Sequence, residues 1–502
     1  MEFSDRMKTT QLSGNVALLL SLLLTAGCAI APTPLTQHEL QTRVVHDLDR
    51  VQKGQEPLDG PVDLYQAMAR ALKYNLDMRV EVMSAMLAHQ QLNLAHFSML
   101  PRLVANAGFD GRDNFSGGIS RSLLTGRDTL EPSTSSDKNV FSGDLTLSWN
   151  VLDFGLSYVR AQQAADDVLV AEEEKRRVAI RVMQDVRNAY WRAVSAEHLL
   201  DRLASLDGWV TKALNNARAV QRERLDNPLP PLQYQRDLMN NQREIQRLYR
   251  DLSTAKAELA SMIGLRPGQN YQIAVPKTHA VLASLPLPTE NMEERALLSR
   301  PELRTVDYRK RINAKETKAA ILELFPNLNL QIGGNWNGNS LLFNKEWLAY
   351  GSRVSWNLLS LFRTPLRMKT IQAQQALLDA QSLAMTMTVM SQVHVGMARF
   401  AYAQKEYRTA MVYHDTQAQI AEHMSRSYSA NRMSEQVLLQ ERVGQVVAEV
   451  RVYASRAELE MAYAGVLAAI GEDLLPERLD GATVAGLADA IRHHWTALSG
   501  AV

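Results

Sequence analysis

From Leu156 to Asp226 the chain runs without a proline and with one interior glycine, Gly208. A single helix of that length would be about 100 Å long at 1.5 Å per residue, beyond anything a globular domain holds. Apolar residues alternate by three and four through its second half (Leu203, Leu206, Val210, Ala213, Ala217, Val220). They do so again in the segment that follows (Ile245, Leu248, Leu252, Ala255, Leu259, Met262). That is a heptad seam, so the expectation is a coiled-coil or tubular assembly. A similar run extends from Leu366 to about Ala430. Aromatics make up only 6% of the chain, which favours long helices over an aromatic-rich all-β core. The charged run Glu172, Glu173, Glu174, Lys175, Arg176, Arg177 is expected to form a solvated face.

Each long run ends in a turn. In SYSANRMSEQVLL (427–439), Asn431 suits the left-handed backbone that ends a helix, and Ser434 stands where an N-cap should start the next. In LDNPLPPLQ (225–233), Pro228, Pro230 and Pro231 stop helix propagation. Each run is therefore the long arm of a helical hairpin.

The chain also repeats itself. RALKYNLDM (70–78) matches RALLSRPEL (295–303), and LPRL (100–103) falls on FPNL (325–328), both at offset 225. LSWNVLDF (147–154) matches VSWNLLSL (354–361) at offset 207, and at that offset Gly264 falls on Gly471. AQQA recurs at 161–164 and 373–376. Four landmarks in one order imply two copies of one unit, with short indels in loops.

Between the proline-led landmark and Ser-Trp-Asn the period changes to two. LVANAGFDG (103–111), FSGDLTLSWNV (141–151), NLNLQIGGNWNG (327–338) and LAYGSRVSWNL (348–358) alternate polar or small with apolar residues, as strands do. A Ser-, Gly- and Thr-rich loop, about 112–139, joins the first two. Strands of ~10 residues with one apolar face suit a transmembrane β-barrel. Phe109, Phe141, Trp149, Trp336, Trp347 and Trp356 are candidate interfacial aromatics; a water-soluble sheet packed on helices is the alternative. Four strands cannot close a barrel, and lipid tolerates no open edge, so in a membrane several chains must share one.

At the N-terminus, Arg6 and Lys8 precede an apolar segment, Val16 to Leu24, followed by Ala26 and Gly27. This is the layout of a secretory signal peptide, and no segment is long and apolar enough for a transmembrane helix. Cys28 is the only cysteine. Leu24-Thr25-Ala26-Gly27-Cys28 resembles the bacterial lipobox, with Thr25 where leucine is usual. That resemblance implies cleavage before Cys28, acylation (palmitate among the chains) of its thiol and amine, and, with no Asp after it, sorting to the outer membrane. Several acyl chains on one cysteine anchor firmly where one does not. An ordinary signal with an incidental cysteine is the alternative.

The two-copy order of helix, strand, loop, strand, long helix and returning helix, carried by ALKYNLDM and ALLSRPEL, the Ser-Trp-Asn strands and the LASMIGL and LAAIG endings, resembles the TolC-like outer-membrane factors, in particular their lipoprotein branch. The fold class expected is α+β, mainly α. The resemblance implies a homotrimer whose chains give four strands each to a 12-stranded outer-membrane β-barrel, continued by a long periplasmic α-helical barrel. It implies a passive exit duct for an efflux or secretion system, joined by a periplasmic adaptor to an inner-membrane pump. By position, the adaptor-docking tip is Tyr428, Asn431, Arg432 and Ser434 in the second copy, with Asn431 where the family has glycine. In the first copy it is Asp226 and Asn227, where LDNPLPP departs from the family's Gly and Ser pattern. The domains expected are a signal peptide (1–27), a lipid-anchored extension (28–60), a first repeat (61–264), a linker (265–290), a second repeat (291–471) and a tail (472–502).

Other functions find no support. A net charge of +1 gives no electrostatic case for nucleic acid. There is no phosphate loop, zincin motif or nucleophile elbow, so neither catalysis nor a cofactor is expected. His493 and His494 read as a solvated tail, and His89 and His96, two turns apart, lack an acid or cysteine to complete a metal set. Methionine binds Cu(I), but MTMTVM (385–390) reads as helix-core packing. The rival reading is a structural or adaptor coiled-coil lipoprotein without a pore, which leaves the paired strands unexplained.

Overall fold

The computed structural model describes residues 32–128, 131–223, 229–276, 285, 288–430, 432–472 and 483–499. Cys28, Asp226, Asn227 and Asn431 lie outside them. The chain divides after Gln55. In the first unit the described structure is one exposed helix, α1 (Gln37–Gln52). It opens on a capping box, with Thr36 N donating to Glu39 Oε2 at 2.7 Å and Glu39 N to Thr36 Oγ1 at 3.3 Å.

The second unit runs twice through the same kinds of element. First come α2 (Leu64–Tyr74), α3 (Leu76–Phe97), β1 (Arg102–Gly111), the short β2 (Gly117–Gly118) and β3 (Ser133–Thr134), β4 (Asn139–Asn150), α4 (Val151–Glu223), α5 (Leu229–Ser253) and α6 (Ala255–Met262). Then come α7 (Thr289–Ser299), α8 (Pro301–Leu322), β5 (Asn327–Asn337), β6 (Glu346–Ser355), α9 (Ser360–Ser429) and α10 (Glu435–Ala469), and α11 (Val484–Ser499) closes the order. At 73 and 70 residues, α4 and α9 are each roughly 105–110 Å long. Gly208 does not break α4, because packing on both flanks outweighs its ~1 kcal/mol propensity cost.

Shorter helices flank each long one in two tiers. Along α4, Asp166 and Glu173 meet Lys315 and Arg304 of α8, and farther down Glu197 and Asp207 meet Lys256 of α6 and Gln242 of α5. Along α9, Gln375 meets Asn313 of α8, and Gln417 meets Glu441 of α10. Where one tier ends and the next begins, the helices abut. Gly264 (φ +81°) and Gly471 (φ +71°) take the left-handed turn after α6 and α10. The seam is bridged by Asn75 Nδ2 to Met262 O at 3.3 Å in the first half, and by Arg300 Nη1 to Ala468 O at 2.9 Å in the second. Asn75 and Arg300 are partners at the sequence offset of 225.

Buried residues gather at the waist formed by these seams, and two expectations change there. The described part of the expected linker is packed: Val62 and Ile273 form a parallel bridge, and Tyr190 Oη donates to Ala274 O at 2.7 Å. The C-terminal helix is no free tail. Ile491 and Leu487 are buried, and Trp495 lies edge-on to Tyr463 with its ring 3.6 Å from the guanidinium of Arg187, itself 1% exposed. His493 and His494 point outward. The charged run at 172–177 also divides. Spacing of three turns Glu173 and Arg176 inward, where Arg176 Nη2 donates to Gly471 O at 3.4 Å, while Glu174 and Arg177 pair outside.

Candidate functional site

The four long strands form one antiparallel sheet in the order β1-β4-β5-β6, which leaves β1 and β6 as unpaired edges. The register is continuous across all three pairings. It therefore sorts side chains into two faces without a slip. One face carries the rows Leu103–Leu147–Ile332–Tyr350 and Ala105–Leu145–Gly334–Leu348, with Phe109 opposite Phe141. The other carries Arg102–Ser148–Gln331–Gly351 and Asn106–Asp144–Asn335–Trp347.

Among the described residues nothing covers the apolar face. Leu103, Leu348 and Tyr350 are 64, 64 and 82% exposed, and Phe141, Leu145 and Ile332 are exposed too. In water such a patch is a liability. Aromatics bracket it: Phe109, Phe141 and Trp336 at the loop end, and Trp149 at the helix end, where Trp356 Nε1 donates to Leu324 O at 2.9 Å. Eight residues separate Phe141 from Trp149, about 27 Å along the strand. At the 35–45° tilt of barrel strands that is a band about 20 Å tall between aromatic girdles, close to the apolar thickness of a bilayer. Trp347, expected among these aromatics, sits instead on the polar face opposite Asn335, because Glu346 takes the apolar-face position opposite Trp336.

Strand passes into helix without a linker at Asn150, whose Oδ1 accepts from Asp153 N at 3.0 Å and so caps α4. Below that junction three helices are tied by charge. Asp166, 1% exposed, accepts from Lys315 Nζ at 2.6 Å and also pairs with Arg311. Glu316 accepts from Arg160 at 2.6 Å, Arg367 at 2.5 Å and Gln163 at 3.1 Å. A buried carboxylate is tolerated only with this many donors. Sequence reading missed the cluster, since charges on a long helix look solvated until the neighbouring helix is placed. At the loop end, Asn339 ties the two halves, accepting from Asp137 N at 3.0 Å and donating to Ser135 O at 2.8 Å.

At the far end, α9 stops at Ser429, and Arg432 N closes back on Ser427 O at 3.0 Å. Ser434 is the N-cap of α10 by backbone conformation, without a side-chain capping bond. Tyr428 and Arg432 are exposed beside it. At the other turn, Pro230 and Pro231 lie in the first turn of α5, so they begin the returning helix rather than ending the outgoing one. Among the described residues no three His, Cys, Asp or Glu side chains gather as a metal site, and no helix is long and apolar enough to cross a membrane.

The chain resembles the Campylobacter jejuni CmeC outer-membrane channel (TM-score 0.63, 14% identity, 93% of this chain and 97% of that one). It also resembles CusC, whose structures concern transmembrane channel formation (TM-score 0.61, 16% identity, 84% and 96%). The open Neisseria gonorrhoeae MtrE outer-membrane channel is similar as well (TM-score 0.60, 17% identity, 81% and 88%). The fold is that of the TolC-like outer-membrane channels. No protein-family model and no curated sequence matches the chain.

Proposed function

We propose that the chain is one of three identical subunits of an outer-membrane exit duct. The observation that carries this is the sheet: one face apolar, uncovered and of bilayer height, the other polar, with two open edges. Lipid forbids open edges, so β1 of one subunit must meet β6 of the next. Three chains then close twelve strands, and the two halves act as two copies of one unit. Exposed apolar stripes support the same assembly lower down. Leu76, Val80, Met83, Leu87 and Leu94 follow one face of α3, and Leu383, Met387 and Tyr402 one face of α9. The helices prolong the barrel into a periplasmic tunnel, and the duct is passive, with energy supplied by an inner-membrane pump reached through an adaptor. Cys28 is the lipid attachment point. Tyr428, Asn431, Arg432 and Ser434, with Asp226 and Asn227 on the other hairpin, form the adaptor-docking tip.

Denaturing electrophoresis without boiling tests the assembly. A heat-sensitive trimer band is expected, and monomer alone in every detergent would favour a tethered coiled coil without a pore. A photoreactive residue at Ser434 in intact cells tests the tip, with capture of a periplasmic adaptor as the expected outcome. Capture of none, while a control channel captures its own, would refute the docking assignment but not the pore.

A further inference from the structure

At the second seam, where α10 ends and α8 begins, the wall is not closed. A cavity of about 570 Å³ opens between α4, α8, α9 and α10, a size that holds a small organic molecule. Its charged lining is Arg177, Arg181, Arg300 and Arg399 against Glu302 and Glu458, an excess of two positive charges. Arg300 is occupied, with Glu302 at 2.9 Å, Gln392 at 2.8 Å and Ala468 O at 2.9 Å, and Arg177 is held by Glu174 at 2.7 Å. Among the described residues, Arg181 and Arg399 have no hydrogen-bond or ion-pair partner, and Arg181 has a through-space interaction with Asp185. Val178, Val395 and Met461 line the same cavity. At the corresponding first-half seam, the bridging residue is the neutral Asn75.

We infer that this waist cavity binds a small organic anion with an apolar body, its acidic head held by Arg181 and Arg399 and its body against Val395 and Met461. Two planar guanidinium groups with donors to spare suit a carboxylate, sulfonate or phosphate head. The apolar part of the lining supplies contact that a bare inorganic anion would not use. The inference stands on the geometry of one chain and does not depend on the duct being a trimer.

The test uses the full chain, purified as it assembles, with 2,3,5-triiodobenzoate as the probe and its neutral amide as control. Calorimetry is expected to find one site per chain for the acid and none for the amide. The Arg181→Gln, Arg399→Gln double variant should bind about tenfold more weakly, the loss of one charge-assisted hydrogen bond or more. The corresponding double lysine variant should recover most of the affinity. In crystals, the iodine anomalous signal should lie in the cavity. Equal binding of acid and amide, or unchanged affinity in the glutamine variant, would overturn the proposal, as would no binding below millimolar concentration. Circular dichroism and the unboiled gel monitor folding and assembly separately, so loss of the trimer would count against the duct and not against this site.

Discussion

Glu316 shows how single residues hold the junction. Burial raises its pKa, but hydrogen bonds from Arg367, Gln163 and Arg160 outweigh that and hold it at about 2, below its ordinary 4.5. A folded pKa below the unfolded one gives stability that is complete above pH 4.5 and is lost as pH falls towards 2. Glu316→Gln should therefore flatten the acid limb of melting temperature against pH while lowering stability at pH 7, where Arg160 and Arg367 lose their partner. Parallel acid limbs for the two proteins would contradict this. Gly333 is a second such residue. A Cβ there would stand 3.0 Å from Leu145 O and 2.6 Å from Thr146 Oγ1, whereas one on Gly334 would meet nothing within 4 Å. Gly333→Val should destabilise by about 1–3 kcal/mol. Gly334→Val, on the apolar face, should be tolerated, and heat resistance of the oligomer reads the difference.

Among elements, the sheet is the most informative, because adjacent residues on one strand face different media. Leu147→Arg puts a charge on the apolar face and should cost about 2–4 kcal/mol if that face meets lipid. Ser148→Arg, one residue on, points to the polar face and should assemble normally. Folding yield into liposomes separates the two, and equal yields would mean that neither face meets lipid. The long helices make the converse point. Their length follows from the absence of proline, but their straightness depends on partners in two tiers, and α4 changes partners at the waist from α3 and α8 to α5, α6 and α10.

In the whole molecule, α11 joins the last helix of the second unit to its first. Arg492 bridges to Asp63 at 2.8 Å at the start of α2, and Trp495 covers Arg187 of α4 and Tyr463 of α10. Burial lowers the Arg187 pKa, and Glu460 offsets part of that cost. Trp495→Ala should destabilise the waist by about 3–5 kcal/mol. The expected sign is faster protease cleavage between α10 and α11 with the sheet still intact. A melting curve and digestion pattern unchanged from the parent would show that α11 bears no load.

Periodicity alone fixed the element types of this chain, since both signals are local. Seventy residues without proline, with a heptad through the second half, admit little but a helix, and alternation over ten residues bounded by turns admits little but a strand. The matched landmarks also aligned structurally equivalent positions, Asn75 with Arg300 and Gly264 with Gly471. Only the tertiary structure decided what each face touches. Trp347 fell on the polar face because the register of β6 is set by β5. Glu173 and Arg176 turned inward because α8 and α10 meet beside them. Trp495 became core because Arg187 of α4, far away in sequence, and Tyr463 of α10 lie against its ring. Burial is a property of pairs of segments, so a charge or an aromatic ring on one helix carries no mark of its surroundings until the neighbouring helix is in place.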